Sequence, residues 1–267
     1  EEEEPWIPLS VLPALQQARH SEEFVFETDD GTQVPLDTGA LLEADVVEIV
    51  PGAAFAQSGG TLRVNTLLGF GNAWISGGNL HLGHPAGAWA YSVSSGQSLD
   101  VRNLTIGYDA SGTLTVHNGG MVSNTDSILG ELPQGEGTAT VDGPAATWTN
   151  SGDLTVGKKG KGTLSVLNGG MVSNRNGILG YKWDGAGGTA TVDGLGSTWT
   201  NSGYLTVGRD GKGTLNVLNG GMVSNSYGII GALPLGEGTA TVDGLGATWT
   251  NSGYLTVGRG GKGTLSV

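Results

Sequence analysis

The sequence predicts an all-β protein: a right-handed parallel β-helix of about eight coils of 25 residues, with a cap at its N-terminal end. Three observations favour this fold class. The 267 residues include 50 glycines, the short apolar runs are rich in Thr, Val, Leu and Trp, and near-identical segments return at a fixed period. Such runs, bounded by Gly, Asn, Asp or Ser, are typical of strands. A fixed period of this length is typical of stacked repeats.

The repeat is clearest around the tryptophans. T-W-T-N-S-G-Y-L-T-V-G occupies residues 198–208 and 248–258, and T-W-T-N-S-G-D-L-T-V-G occupies 147–157. Blocks of G-T-L-x-V begin at Gly112, Gly162, Gly213 and Gly263, which sets a long period of about 50 residues. Each period divides into two halves of 25 residues with three short strands and three turns. Because each half cannot bury its apolar face alone, the halves are expected to stack as coils.

Strand alternation predicts which side chains enter the core, since successive side chains point to opposite faces. The tryptophans and the valines at the matching place in the alternate halves should point inward: Trp148, Trp199, Trp249, Val122, Val172 and Val223. One asparagine per half should form a hydrogen-bonded amide ladder: Asn124, Asn150, Asn174, Asn201, Asn225 and Asn251. The pairs Gly119-Gly120 and Gly169-Gly170 should be corners with positive φ.

Residues 1–61 do not follow the period and are predicted to form an acidic cap, while residues 62–267 form the β-helix. Residues 1–50 hold 13 of the 25 acidic residues and one of the 12 basic ones. A short helix is expected from Ser10 to Arg19, and a hairpin turning at Asp29, Asp30 and Gly31. The cap should cover the open edge of the first coil with Val11, Leu12, Leu15, Phe24 and Phe26. The last unit stops after its first strand, so the sequence is expected to continue beyond residue 267.

Signals for catalysis, metals or cofactors are weak. Asp37-Thr38-Gly39 matches one aspartic protease loop, but the paired carboxylates of that site need two. His81 and His84 are fewer ligands than a zinc site requires. The 267 residues contain no cysteine, which excludes disulfides and thiolate ligands. We therefore expect no enzyme activity, no metal and no cofactor. The repeats are nearly neutral, which argues against nucleic acid as a partner, and no apolar run is long enough for membrane insertion.

Identical side chains in successive units predict columns along the outside of the stack. The candidate contact columns are threonines flanking the tryptophans, acids at one turn and lysines at another: Thr147, Thr149, Thr198, Thr200, Thr248, Thr250, Asp142, Asp193, Asp243, Lys161, Lys212 and Lys262. The acidic and basic columns are each expected to repeat roughly every 10 Å.

The alternation of G-T-L-T-V-x-N-G-G with G-T-A-T-V-D-G-x-x-x-T-W-T-N-S-G-x-L-x-V-G resembles the β-helical repeats of bacterial autotransporter (type V secretion) passenger domains, strongly over residues 112–267 and weakly over 62–111. The resemblance implies export to the cell surface of a Gram-negative bacterium, a translocator barrel C-terminal to this region, and a role in virulence. It also implies an adhesin that aggregates cells or forms biofilm, with itself or host and surface glycans or proteins as partners.

Two alternatives stay open. T-x-T pairs resemble the face of some ice-binding proteins, although the alternate halves read M-V-S-N where a regular array would need T-W-T-N again. A carbohydrate-active β-helix enzyme is the other alternative, with catalytic residues in the irregular coils near residues 62–111. Thermal hysteresis would identify the first activity, and release of reducing sugars from polysaccharides would identify the second.

Overall fold

In the computed structural model, residues 90–182 and 187–267 are described with their side chains. Before residue 90 only the backbone of individual strands is described. The strands there are β1 (Glu23–Phe26), β2 (Gln33–Leu36), β3 (Leu41–Ile49), β4 (Ala54–Gln57), β5 (Gly60–Gly69), β6 (Ala73–Ser76) and β7 (Asn79–Leu82).

The remaining strands come in groups of three, one group per coil. They are β8 (Trp89–Val93), β9 (Gln97–Asp100), β10 (Asn103–Ile106), β11 (Ser111–His117), β12 (Met121–Asn124), β13 (Asp126–Leu129), β14 (Glu136–Asp142), β15 (Thr147–Asn150), β16 (Leu154–Val156), β17 (Lys161–Leu167), β18 (Met171–Asn174), β19 (Gly177–Leu179), β20 (Gly187–Asp193), β21 (Thr198–Asn201), β22 (Tyr204–Val207), β23 (Lys212–Leu218), β24 (Met222–Asn225), β25 (Tyr227–Ile230), β26 (Glu237–Asp243), β27 (Thr248–Asn251), β28 (Leu255–Val257) and β29 (Lys262–Ser266). No helix occurs among the described residues.

Each coil contributes one strand to each of three sheets. Sheet I contains β8, β11, β14, β17, β20, β23, β26 and β29; sheet II contains β1, β3, β5 and then every third strand from β9 to β27; sheet III contains β6, β7 and every third strand from β10 to β28. From β8 onward all neighbours pair in parallel, as between β14 and β17 or β15 and β18. The chain is therefore the predicted parallel β-solenoid, with seven complete coils and the first strand of an eighth.

The core is a column of alternating large and small side chains. In sheet II, Val122 stacks on Trp148 and Val172 stacks between Trp148 and Trp199. Trp148 and Trp199 are fully buried, as predicted, whereas Trp249 packs against the core but is only half-buried. Trp249 belongs to the last complete coil, so only one side of its ring is covered by a neighbouring coil.

The asparagine ladder exists, but in pairs. Trp199 Nε1 donates to Asn174 Oδ1 (2.7 Å), and Asn174 Nδ2 donates to Asn201 Oδ1 (2.6 Å). Asn201 Nδ2 then turns to the backbone carbonyl of Ser224 at 3.5 Å, which ends the chain of amides. The same arrangement joins Trp148 to Asn124 and Asn150, and Trp249 to Asn225 and Asn251. The ladder predicted across all six asparagines is thus interrupted once per 50 residues, because only every second coil brings an indole donor.

Glycine corners set the turns between the strands. Gly119 and Gly169 have positive φ (73° and 92°), as predicted, but their partners Gly120 and Gly170 do not. A side chain at Gly170 would place its Cβ 2.3 Å from the carbonyl oxygen of Val141 in the preceding coil. The second glycine of each pair is therefore required by close contact between coils, and only the first by backbone conformation.

The N-terminal part departs from the prediction in two places. The β-helix predicted from residue 62 does not begin with a regular coil, because β6 pairs antiparallel with β7. The sequence between these two strands is Gly-Gly, a pair preferred in two-residue hairpin turns. Strands β1 and β2 do not form the hairpin predicted around Asp29 to Gly31. Instead, β1 pairs in parallel with β3 and β2 pairs in parallel with β4, so each strand joins a partner further along the chain.

Other N-terminal predictions are not tested by these strands. The helix predicted from Ser10 to Arg19, with Val11, Leu12 and Leu15, lies outside the described residues. Phe24 and Phe26 belong to β1, of which only the backbone is described. Sheet II runs on through β5 and β3 to β1, and the division of the chain at residue 61 stays a prediction.

Candidate contact surfaces

The predicted threonine columns lie on the outer face of sheet II, where methionines interrupt them. Met171 stacks between Thr147 and Thr198, and Met222 stacks between Thr198 and Thr248. All three methionines of the chain are on this face, and Met121, Met171 and Met222 are 52%, 41% and 43% exposed. The outer face of sheet II is therefore a mixed apolar and hydroxyl surface.

The second threonine column of sheet II is a row of hydroxyls. Thr149 is in register with Ser173, and Thr200 and Thr250 are in register with Ser224. Ser173 Oγ donates to Thr149 Oγ1 and Ser224 Oγ to Thr200 Oγ1, both at 3.4 Å. The three threonines are exposed and the two serines are half-buried, so the row is accessible from outside.

The predicted acidic column lies at the C-terminal ends of the sheet I strands, where it alternates with leucines. Leu167 is in register between Asp142 and Asp193, and Leu218 between Asp193 and Asp243. Asparagines of the following coil donate to two of the acids: Asn168 Nδ2 to Asp142 Oδ1 (2.7 Å) and Asn219 Nδ2 to Asp193 Oδ1 (2.9 Å). Asp243 instead accepts from the backbone N–H of Gly244.

The lysine column lies at the N-terminal ends of the sheet I strands, and it also contains acidic residues. Lys161 is in register with Glu136, and Glu237 lies between Lys212 and Lys262. Lys161 Nζ donates to Glu136 Oε1 (2.8 Å), and the Glu136 carboxylate raises the pKa of Lys161. Lys262 and, more weakly, Lys212 lower the pKa of Glu237. The basic column thus contains two glutamates, Glu136 and Glu237, and Gly187 lies between Lys161 and Lys212. Because these ion pairs are largely exposed to solvent, each adds little stability.

Sheet I also carries a threonine column, and this column continues through every coil from β11 to β29. One threonine occupies the same register position in seven consecutive strands: Thr113, Thr138, Thr163, Thr189, Thr214, Thr239 and Thr264. Two residues on, the neighbouring column reads Thr115, Thr140, Ser165, Thr191, Asn216, Thr241 and Ser266. All of these side chains are half-buried or exposed. This threonine belongs to the G-T-x-x-V motif of every coil, and the interruption expected from M-V-S-N affects sheet II alone.

No family model, no curated protein and no solved structure matches this chain. The similarity to autotransporter passengers accordingly stays a prediction from the repeat motif.

Other features bear on the remaining predictions. Among residues with described side chains, no group of three or more His, Asp or Glu is placed to hold a metal ion. His84 and Asp37-Thr38-Gly39 lie outside the described residues, and His81 lies in β7, whose side chains are not described. No helix in the described part of the chain is long and apolar enough to cross a membrane. The prediction that the chain is not an enzyme is untested.

Proposed function

We propose that this chain is part of an exported, surface-displayed adhesin of the autotransporter type that joins copies of itself through the outer face of sheet I. The observation that carries the proposal is the unbroken threonine column, seven strands long and in continuous register. A hydroxyl both donates and accepts hydrogen bonds, so a row of hydroxyls can face a copy of the same row. Contacts that are weak singly then add along the solenoid.

The lysines and glutamates at the N-terminal ends of the sheet I strands favour one arrangement of the two copies. If the faces meet antiparallel about a two-fold axis, each column faces itself in reverse order. In one register, Glu136 lies opposite Lys262 of the second copy, and Lys161 opposite Glu237. A slip by one coil would place Glu136 opposite Glu237 and Lys161 opposite Lys212. Because like charges in contact disfavour a complex, the first register is selected.

The aspartate column at the C-terminal ends of these strands favours the same register. There, Leu167 lies opposite Asp243 of the second copy, and Asp193 opposite Leu218. The slipped register would instead place Asp142 opposite Asp243 of the second copy, and Asp193 opposite Asp193 of the second copy. In this register β11 has no strand opposite it, so the contact face consists of six strands. Six strands about 4.8 Å apart and roughly 20 Å long give a face of about 580 Å², below the 800 Å² or so of a standard partner surface. Binding should therefore be modest for this segment and rise with the number of coils.

Charge reversal tests this interface. Cells displaying Lys161→Glu should no longer clump, nor should cells displaying Glu237→Lys, because each copy then repels its own kind. A mixture of the two should clump again, since the glutamate introduced in the first variant meets the lysine introduced in the second. Arg175→Glu, at an exposed turn away from sheet I, is the matched control and should leave clumping unchanged. Wild-type cells that never clump, or a mixture that fails to recover, would refute the proposed interface.

Ice binding is a second candidate, because the threonine column of sheet I recurs in every coil, as a regular ice-binding array requires. On sheet I the T-x-T or T-x-S/N pattern is present in every coil from β11 to β29, so the array is not interrupted. Ice binding predicts thermal hysteresis in the purified chain, abolished by Thr189→Lys at the centre of the column. Hysteresis without clumping would favour this function over self-association.

A further inference from the structure

The outer face of sheet III is a groove that runs parallel to the solenoid axis. Strand alternation points the middle residue of each sheet III strand from β10 to β28 outward, yet five of these seven residues are nearly inaccessible. Thr105, Thr155, Ile178, Thr206 and Ile229 are 4–9% exposed, while Ile128 and Thr256 are half-buried. Ile178 and Ile229 are buried but do not belong to the core cluster inside the coils. Their burial comes from the side chains on either side, so they form the floor of a groove.

The two walls are columns at the corners of sheet III. The first wall contains Asn103, Asp126, Asp153, Asn176, Tyr204, Tyr227 and Tyr254, and the second contains Tyr108, Glu131, Lys158, Tyr181, Arg209, Ala232 and Arg259. At the N-terminal end a pocket of about 330 Å³ lies between them, lined by Asn103, Thr105, Tyr108, Asp126, Ile128 and Glu131 among others. The space between the two walls is thus open at this end of the groove.

The chemistry of the first wall changes along the stack. Asp126 and Asp153 are tied into backbone and side-chain hydrogen bonds, to the N–H of Asp153 and to Arg175 and Asn176 respectively. From Tyr204 onward the wall consists of three half-exposed tyrosines, and the rings of Tyr227 and Tyr254 are 4.7 Å apart. The change is visible in the sequence, where N-S-G-D-L becomes N-S-G-Y-L. This is a place where the chain breaks its own repeat.

The second wall carries arginines opposite these tyrosines. The guanidinium carbon of Arg209 lies 4.2 Å from the ring centre of Tyr181, which fixes the plane of the group. Arg259 occupies the same position two coils later, roughly 10 Å along the groove. Between these two arginines the wall residue is Ala232, whose small side chain leaves space beside both guanidinium groups. An oriented guanidinium is suited to bind a carboxylate through two hydrogen bonds.

We propose that this half of the groove binds an extended polysaccharide of carboxylated sugars, with sugar rings against Tyr204, Tyr227 and Tyr254 and carboxylates against Arg209 and Arg259. Tyr227 and Tyr254 pack on each other, so it is their outer ring edges that face the groove. A sugar ring has apolar C–H groups and a polar rim, and the exposed edge of a tyrosine likewise combines apolar C–H groups with a polar hydroxyl. Coils about 4.8 Å apart present one tyrosine for each ring of an extended chain. The alternating Thr and Ile floor matches the same mixture of polar and apolar groups.

Other polymers fit the groove less well. A peptide that binds by adding a strand needs an open sheet edge, but in sheet III each strand from β10 to β25 already pairs with both neighbouring coils. Nucleic acid is disfavoured because its phosphates need a continuous basic surface, whereas the positive charges on the walls of this half of the groove are Arg209 and Arg259, two coils apart. A carboxylated polysaccharide needs neither an edge nor such a surface.

Affinity electrophoresis of the purified chain tests this, in gels containing polygalacturonate, alginate or hyaluronate, with hydroxyethylcellulose as the neutral polymer. We expect retardation by at least one carboxylated polymer and less by the neutral one. Tyr227→Ala combined with Tyr254→Ala should weaken binding about tenfold, and Arg209→Ala should remove the preference for carboxylated polymers.

The matched control is Met222→Ala, which truncates a side chain as exposed as Tyr227 on the outer face of sheet II. Far-UV circular dichroism should show that every variant is folded. No retardation by any carboxylated polymer, equal retardation by hydroxyethylcellulose, or binding unaffected by the tyrosine substitutions would overturn the proposal. Because the groove is on sheet III and the self-association face on sheet I, the tyrosine variants should still clump, so failure of one proposal leaves the other standing.

Discussion

Replacement of Asn174 by alanine should destabilise the chain far more than the loss of one surface amide. Asn174 accepts the indole N–H of Trp199 at 2.7 Å and donates to Asn201 at 2.6 Å. Trp199 is 0% exposed and Asn201 2%, so water cannot replace either partner. A buried donor or acceptor left without a partner costs about 1–3 kcal/mol. Two such groups predict a loss of about 2–6 kcal/mol in the free energy of unfolding.

A double-mutant cycle separates the indole from the rest. In a Trp199→Phe background the indole N–H is absent, so Asn174→Ala should cost about half as much, with a coupling energy of about 1–3 kcal/mol. Asn225→Ala is the matched control, because its partner Trp249 is only half-buried and water can reach the indole. Guanidinium unfolding followed by circular dichroism measures all four variants. A loss below about 0.5 kcal/mol for Asn174→Ala, or no coupling to Trp199, would refute the reasoning.

Three further predictions concern the corners, the core and the outer face of sheet II. Gly157→Ala should lower the melting temperature by several degrees, because Gly157 has φ 74° and a Cβ would lie 2.4 Å from the carbonyl oxygen of Gly187. Gly187→Ala is the control: its Cβ would meet nothing within 4 Å, so the melting temperature should not change. Burial raises the pKa of Tyr91, so the folded state holds the phenol proton while the unfolded chain loses it above about pH 10. Stability should therefore fall as pH rises beyond that value. In thermal melts at alkaline pH, Tyr91→Phe should show a weaker fall. Hydrogen peroxide should oxidise Met121, Met171 and Met222 in the folded chain without loss of strand signal, since all three are exposed; mass spectrometry beside circular dichroism checks this, and unfolding on oxidation would contradict it.

The sequence was sufficient to predict the solenoid and its core, because both depend on short-range alternation within each coil. The inward position of Trp148 and of Val172 follows from two residues on either side. The contacts between coils were harder to predict, since they depend on which residues share a register position about 25 residues apart. Glu136 beside Lys161 and Met171 beside Thr147 are pairs of this kind, and neither is visible within one repeat.

The errors at the N-terminal side have a related cause. Asp29, Asp30 and Gly31 form a strong local turn signal, but β1 pairs with the distant β3. The tyrosine column was missed because Tyr204 and Tyr227 come from the two different halves of the long repeat and meet only after stacking. Local signals therefore predicted the repeated strands, while tertiary pairing determined their neighbours.

Cysteine cross-linking tests most directly whether copies of sheet I meet antiparallel in the proposed register. The chain contains no cysteine, so introduced cysteines react without background. In that register Thr138 of one copy lies opposite Thr264 of the other, and neither lies opposite itself. Mixing Thr138→Cys with Thr264→Cys should give a disulfide between the two variants and little within either one alone. Disulfides between two copies of Thr138→Cys, or none in the mixture, would contradict this arrangement.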